Sequence, residues 1–191
     1  MADLGLLIVV SGPSGVGKDT VVGEYLKTSG DCVLSVSATT REKRPNEIHG
    51  KDYYFISREE FKHRINNNEM LEWAQYNGNY YGTPREAVDC QRNAGYHVIL
   101  IIEVQGAKRV RQLYPEAVLV FIAPPCIQTL RKRLSDRGTE SEEAIERRLR
   151  IAQVEMDQAG MYNRILINHN LKQCTQSFGT LIEELKGDLN A

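Results

Sequence analysis

An apolar run, Leu6 to Val10, leads into Gly12-Pro13-Ser14-Gly15-Val16-Gly17-Lys18 and then gives way to a helical pattern. A strand, a glycine-rich turn and a helix in that order constrain the fold more than any other feature of the chain. The glycines let successive backbone N–H groups converge, the helix presents the positive end of its dipole, and Lys18 adds a point charge. The spacing G-x-x-x-x-G-K therefore reads as a loop for the phosphates of a nucleoside triphosphate. It places Gly12, Pro13, Ser14, Gly15, Val16, Gly17 and Lys18, followed by Asp19 and Thr20, around them.

Apolar, β-branched runs recur at Leu6–Val10, Cys32–Val36, Tyr96–Ile102, Ala117–Ile122 and Arg164–Ile167, separated by helical patterns. That alternation predicts an α/β fold in which helices cover both faces of a parallel sheet. Val21, Val22, Tyr25 and Leu26 make the first helical face, with Gly30 as its stop. Later faces carry Ile127, Leu130 and Leu134, then Ile145, Leu149, Ala152 and Met156, and last Phe178, Leu181, Ile182 and Leu185. Two stretches break the rhythm. Residues 37–83 are rich in Arg, Tyr, Asn and Gly, hold one clear helix opened by the capping box Ser57-Arg58-Glu59-Glu60, and read as an inserted lobe. Residues 135–160 are charged and helical, with a second capping box expected at Thr139–Glu142, and read as a lid. One domain of 191 residues is expected, with a core of 1–36, 84–134 and 161–191.

With 24 basic and 25 acidic residues, nothing in the charge balance points to a nucleic acid or a membrane surface as partner. Leu6–Val10 is too short for a signal core or a membrane span. Cys32, Cys90, Cys126 and Cys174 are scattered without a C-x-x-C pair, which fits reduced thiols in a cytoplasmic protein better than zinc or disulfides.

The phosphate loop, Ser37-Ala38-Thr39-Thr40-Arg41-Glu42-Lys43-Arg44-Pro45 and Gly50-Lys51-Asp52-Tyr53-Tyr54-Phe55 together resemble guanylate kinases. Glu72-Trp73-Ala74, Asn79-Tyr80-Tyr81-Gly82-Thr83, Glu103-Val104-Gln105-Gly106 and Arg137-Gly138-Thr139-Glu140 extend the likeness over essentially the whole chain. The resemblance implies a P-loop core of three layers, a GMP-binding lobe and a lid, in a monomer or homodimer. It also implies the reaction ATP + GMP = ADP + GDP with magnesium (Mg2+), with dGMP as a further acceptor, in purine nucleotide metabolism. A ribose 1,5-bisphosphate kinase and a guanylate-kinase-like protein-binding module are the alternatives. Glu72 and Thr83 speak against the first, because a sugar phosphate has no base to read. The intact Gly12, Gly17 and Lys18 speak against the second.

At the acceptor end, Arg41 and Arg44 lie in a segment that Pro45 biases toward extended backbone, so they are not neighbours on a helix face. Arginine forks suit phosphate oxygens, and Tyr53 and Tyr81 can add hydroxyl donors; the resemblance assigns all four to the GMP phosphate. Guanine offers N1–H and N2–H₂ donors beside an O6 acceptor, needs that a carboxylate and a hydroxyl meet, and Glu72 and Thr83 supply them. Thr83-Pro84-Arg85-Glu86 also reads as a helix N-cap, a role compatible with the first. Ser37 and Glu103 are the other positions that the resemblance places around GMP.

At the donor end, phosphoryl transfer depends on alignment and on neutralising the moving group. The resemblance makes Arg137 and Arg148 the catalytic lid arginines beside Lys18 and Arg41, and Arg133 and Asn168 are further contacts to ATP. No general base is assigned, since the GMP phosphate is already anionic. Three positions depart from the family pattern. Asp19 stands where a Ser or Thr would touch the metal, Ile101 replaces an acid two residues before Glu103, and Asn168-His169-Asn170 replaces Asn-Asp-Asp. Strand alternation puts Ile101 and Glu103 on one face. Asp19 is thus the expected protein ligand to Mg2+, directly or through water, restoring charge that Ile101 removes.

Overall fold

The computed structural model describes residues 4–76, 78–136 and 141–189. In chain order the elements are β1 (Leu7–Ser11), α1 (Lys18–Leu26), β2 (Cys32–Leu34), β3 (Ala38–Thr39), β4 (Tyr54–Phe55), α2 (Arg58–Asn66), β5 (Met70–Tyr76) and β6 (Asn79–Pro84). They continue as α3 (Arg85–Asn93), β7 (His97–Ile101), α4 (Val104–Leu113), β8 (Val118–Ala123), α5 (Ile127–Ser135), α6 (Glu142–Met156), β9 (Arg164–Ile167) and α7 (Leu171–Leu189). The five runs expected as strands are β1, β2, β7, β8 and β9, and they form a sheet of order β2-β7-β1-β8-β9. β2 with β7 and β8 with β9 are parallel pairs. Every residue of β1 is buried, as a continuous apolar strand covered on both faces must be.

The chain divides into two compact units, Met1–Ile8 with Asp31–Ala117 and Val9–Gly30 with Val118–Ala191. In the second unit α1 packs on α7 through Tyr25 and Phe178, whose rings meet edge to face at 5.3 Å. Leu130 and Leu134 of α5 form a buried cluster with Ile145, Leu149 and Ala152 of α6. Arg131 adds ion pairs from α5 to Glu142 and Glu146 of α6. The stripes expected along these helices are therefore core.

The first unit contains a second sheet, β4-β3-β6-β5, on which α2 sits. Phe61 of α2 is buried with Ala38 and Met70, and its ring stacks on Tyr80 at 5.3 Å. Ser57 caps α2 as expected, accepting from the Glu60 N–H at 3.0 Å. The Glu60 carboxylate turns instead to Arg64 at 2.6 Å, so the box is closed on one side only. Arg92, 4% exposed, fastens α3 by donating to the Gly5 carbonyl at 2.8 Å and to Glu116 at 3.1 Å.

The segment 37–83 holds its one expected helix, α2, and also four strands that carry no clear sequence signal; two are only two residues long, too short for alternation to show. Three local expectations are corrected. Thr83 does not cap α3: β6 runs on through Pro84, so Thr83 pairs with Glu72 across the sheet and its hydroxyl is spent there. α6 starts at Glu142 with Ser141 as its cap, accepting from the Ala144 N–H at 3.3 Å, while Thr139 lies outside the described residues. β7 stops at Ile101, and Glu103 is already the residue before α4, so strand alternation does not extend from one to the other. Among the described residues no helix is long and apolar enough to cross a membrane.

Candidate functional site

In the second unit, the turn between β1 and α1 is held in shape by its neighbours. Gly12 has φ 144, and a Cβ there would lie 2.1 Å from the Ile122 carbonyl oxygen, so only glycine lets β1 turn this close to β8. Gly17 stands before α1 with φ 98, and a Cβ would come within 3.0 Å of the Asn168 amide nitrogen. The Val16 carbonyl accepts from Asn168 Nδ2 at 2.8 Å and from Arg133 Nη1 at 3.1 Å. Arg133 also donates through Nη2 to the Asn168 carbonyl at 2.8 Å. Both residues are thus brought to the loop as braces on its backbone. Lys18, 8% exposed, donates to the Gly12 carbonyl at 2.5 Å and to the Pro13 carbonyl at 3.3 Å, holding its ammonium over the loop. Arg148 of α6 donates to the Ser14 hydroxyl at 2.6 Å, so one expected lid arginine reaches the loop. Asp19 and Thr20 are exposed in the first turn of α1, and Arg137 lies outside the described residues.

In the first unit, Glu72 of β5 is opposite Thr83 of β6, and the Thr83 hydroxyl donates to Glu72 Oε1 at 2.7 Å. Both are buried, at 5% and 1% exposure. Burial pushes the Glu72 carboxyl up to about 7. Hydrogen bonds from Thr83 and the charge of Arg109 pull it back, and Glu103 adds a smaller upward push. A desolvated carboxylate with one hydroxyl donor leaves acceptor capacity for further N–H groups. Ser37 is half-buried beside β3, its carbonyl accepting from the Tyr54 N–H at 2.8 Å.

Gly106 explains how α4 comes so close to this carboxylate. A Cβ at Gly106 would stand 2.7 Å from Glu72 Oε2, so the bare backbone makes the space that Glu72 occupies. Alanine there would improve intrinsic helix propensity by about 1 kcal/mol. The forced displacement of a buried carboxylate outweighs that gain, and Gly106→Ala is expected to destabilise the protein by about 1–2 kcal/mol net. Urea unfolding of the two proteins checks this; equal or greater stability of the variant would mean that Glu72 moves aside freely.

The basic segment before β4 is more ordered than its composition suggests. Arg41 Nη1 and Nη2 donate to Glu47 Oε2 and Oε1 at 2.9 and 2.8 Å, a two-pronged pair. The guanidinium lies 5.5 Å from the Tyr53 ring centroid and 5.6 Å from that of Phe55, and the Tyr81 phenol interacts with it as well. Arg41, Tyr53 and Tyr81 are therefore brought together, while the Arg44 side chain is exposed. Three contributors escape a reading of the sequence: Glu47, Gly106 and Arg109. An acid following a dense run of cations is the available signal for Glu47, and a glycine inside a helical stripe is the signal for Gly106. Arg109 carries no local signal.

The sequence model of guanylate kinase matches residues 5–185. A guanylate kinase of Synechococcus sp. (strain JA-3-3Ab) is 45% identical over 95% of this chain and 83% of its own length. One of Desulfitobacterium hafniense (strain Y51) is 48% identical over 87% of this chain and 84% of its own. The crystal structure of guanylate kinase from Anaplasma phagocytophilum superposes with a TM-score of 0.77 at 30% identity, covering 96% of this chain and 87% of that one. Together with the braced phosphate loop and the buried Glu72–Thr83 pair, these matches show that the chain belongs to the guanylate kinase family.

Proposed function

We infer that this protein transfers the γ-phosphoryl group of ATP to the phosphate of GMP, giving ADP and GDP, in purine nucleotide metabolism in the cytoplasm. The observation that carries the reading is the buried Glu72–Thr83 pair. Guanine N1–H and N2–H₂ donate to the Glu72 carboxylate, which no longer needs the Thr83 hydroxyl, and that proton turns to guanine O6. Adenine reverses the polarity at these edges and leaves buried groups unpaired, a mismatch that hydrogen-bonding sites reject strongly. Nothing in this set reads the 2′-hydroxyl, so dGMP is a second acceptor. Arg41, Arg44, Tyr53 and Tyr81 hold the GMP phosphate, with Ser37 and Glu103 beside the nucleotide.

The backbone of Gly12 to Gly17 cradles the ATP phosphates, and Arg133 and Asn168 act on ATP through the loop they brace. Lys18, Arg148 and Arg137 neutralise charge on the transferring group, and an anionic oxygen of GMP attacks without a general base. Among the described residues no three carboxylate, His or Cys side chains gather around a metal position. Mg2+ keeps most of its waters and takes one or two carboxylates together with substrate phosphates, so a single carboxylate in the first turn of α1 is a donor set it accepts. Asp19, exposed in the first turn of α1, is the residue that would hold it, and the ion would supply charge neutralisation on the phosphates. Asp19→Ala, which leaves no oxygen donor at this position, is expected to raise the Mg2+ concentration for half-maximal turnover several-fold; an unchanged Mg2+ dependence would remove Asp19 from the metal shell.

The test of the whole reading is ADP release from Mg-ATP with GMP, dGMP, AMP, CMP, UMP or ribose 1,5-bisphosphate as acceptor. Turnover with GMP and dGMP alone is expected. Turnover only with the sugar phosphate would move the chain to the other kinase class, and folded protein silent with every acceptor would point to a binding module.

A further inference from the structure

Arg41, Lys43 and Arg44 put three cations into four residues of a loop that has no hydrogen-bonded partner strand of its own. Such a segment repels itself and, in water, samples many conformations. Here one acid resolves both problems. The Glu47 carboxylate takes the end-on fork of Arg41, and the same Oε2 also accepts from the Arg44 backbone N–H at 2.9 Å. In the opposite direction the Glu47 N–H donates to the Arg44 carbonyl at 3.1 Å, closing the turn Arg44–Glu47 from both sides. The Arg41–Glu47 side chains are only 17% and 18% exposed, in contrast to the other acids of this stretch, Glu42 and Asp52, which face solvent.

A guanidinium has five donors in one plane. Glu47 takes one on each terminal nitrogen, and the Glu42 carbonyl accepts from Nη1 at 2.7 Å, so the Nη1 end is filled. What remains is the edge formed by Nε and the second Nη2 proton; the rings of Tyr53 and Phe55 lie beside the guanidinium, and the Tyr81 phenol, itself a donor for phosphate, is in hydrogen-bonding reach of it. That edge is the other two-pronged face of an arginine and the right width for two phosphate oxygens.

Resting on the assignment of GMP as acceptor, we propose that Glu47 is a positioning residue for the acceptor phosphate: it pins Arg41 so that one guanidinium edge is presented, and it fixes the Arg44 turn beside it. The Arg41 fork and the Arg44 N–H hold the Glu47 carboxyl down at about 2, so the clasp is charged at neutral pH. Ordering both arginines before ligand arrives removes a cost that the phosphate would otherwise meet on binding. The clasp acts on the phosphate alone and leaves the base pocket at Glu72 untouched.

The test compares wild type, Glu47→Gln and Glu47→Ala in steady-state turnover, and in binding of GMP and of guanosine followed by the fluorescence of Trp73, the single tryptophan. For Glu47→Ala the expected result is a KM for GMP raised ~10–50-fold, a kcat lowered at most a few-fold, an unchanged KM for ATP and unchanged guanosine affinity. Glu47→Gln, which keeps one acceptor for Arg41, should recover part of the loss. GMP affinity equal to or tighter than wild type in Glu47→Ala would overturn the proposal, because Glu47 would then be a competitor of the phosphate. An equal loss toward guanosine would also overturn it, since the effect would be general loosening of the unit. Wild-type protein that neither binds nor phosphorylates GMP would overturn the acceptor assignment itself and the clasp with it, whereas active wild type with an indifferent Glu47→Ala overturns the clasp alone.

Discussion

Replacing Lys18 by alanine is expected to lower kcat by ~10³-fold or more while shifting the melting temperature by only a few degrees. The ammonium is drawn inside the turn that follows β1, with donors already placed on the Gly12 and Pro13 carbonyls. Those two bonds leave a third proton and the full positive charge for a phosphate oxygen. Because the site is buried, the charge is worth several times its value in water when negative charge shifts between nucleotides. The loop itself does not depend on the lysine. Asn168 and Arg133 still hold the Val16 carbonyl, and Gly12 still lies against Ile122. Lys18→Arg supplies the discriminating control, since it keeps the charge but needs room for a planar fork that the buried turn does not offer. Single-turnover rates and thermal melts of the three proteins decide the matter. A Lys18→Ala enzyme within tenfold of wild type would mean that the transferring group is neutralised elsewhere.

Features that recur at fixed local spacing are legible in the amino-acid sequence by itself. The loop from Gly12 to Lys18, the five strands of the central sheet and the core stripes of α1, α5, α6 and α7 all follow from apolar periodicity and glycine placement. Short-range patterns fail where an element is stabilised by partners far away in sequence. β3 is only Ala38–Thr39, yet it is a strand because Tyr81 and Gly82 pair with it on one side and Tyr54 and Phe55 on the other. β5 and β6 pair antiparallel, from Met70 with Pro84 to Tyr76 with Asn79, but the irregular composition of the lobe around them obscures both strands. Thr83-Pro84-Arg85-Glu86 carries a genuine cap pattern, and the cross-strand demand of Glu72 overrides it. Glu47 shows the same limit: its two partners are nearby in the chain, but only the folded turn reveals that one carboxylate serves both.

Replacing Glu72 by glutamine is expected to stabilise the protein and to disable it. Burial raises the carboxyl from 4.5 in the unfolded chain to about 7 in the folded one. Between those values the folded state keeps a proton that the unfolded state has lost, so stability falls as pH rises across the window, and the loss is complete above it. The gap corresponds to an upper value of roughly 3 kcal/mol by which the ionised carboxylate weakens the fold at pH 8. Glutamine is neutral throughout and its amide oxygen can still accept from Thr83, although its amide hydrogens must find partners near Gly106. The net expectation is a gain of about 1–3 kcal/mol at pH 8 and little or none at pH 5. Function moves the other way. An amide nitrogen set against guanine N1–H and N2–H₂ places donor against donor, so the KM for GMP should rise ~10²–10³-fold and selectivity over AMP should collapse. Urea unfolding at pH 5 and pH 8, beside turnover with both acceptors, reads the two effects separately. A stability difference between variant and wild type that is the same at pH 5 and pH 8 would mean that Glu72 ionises in the folded protein with little penalty, and the pH window argued from its burial would be wrong.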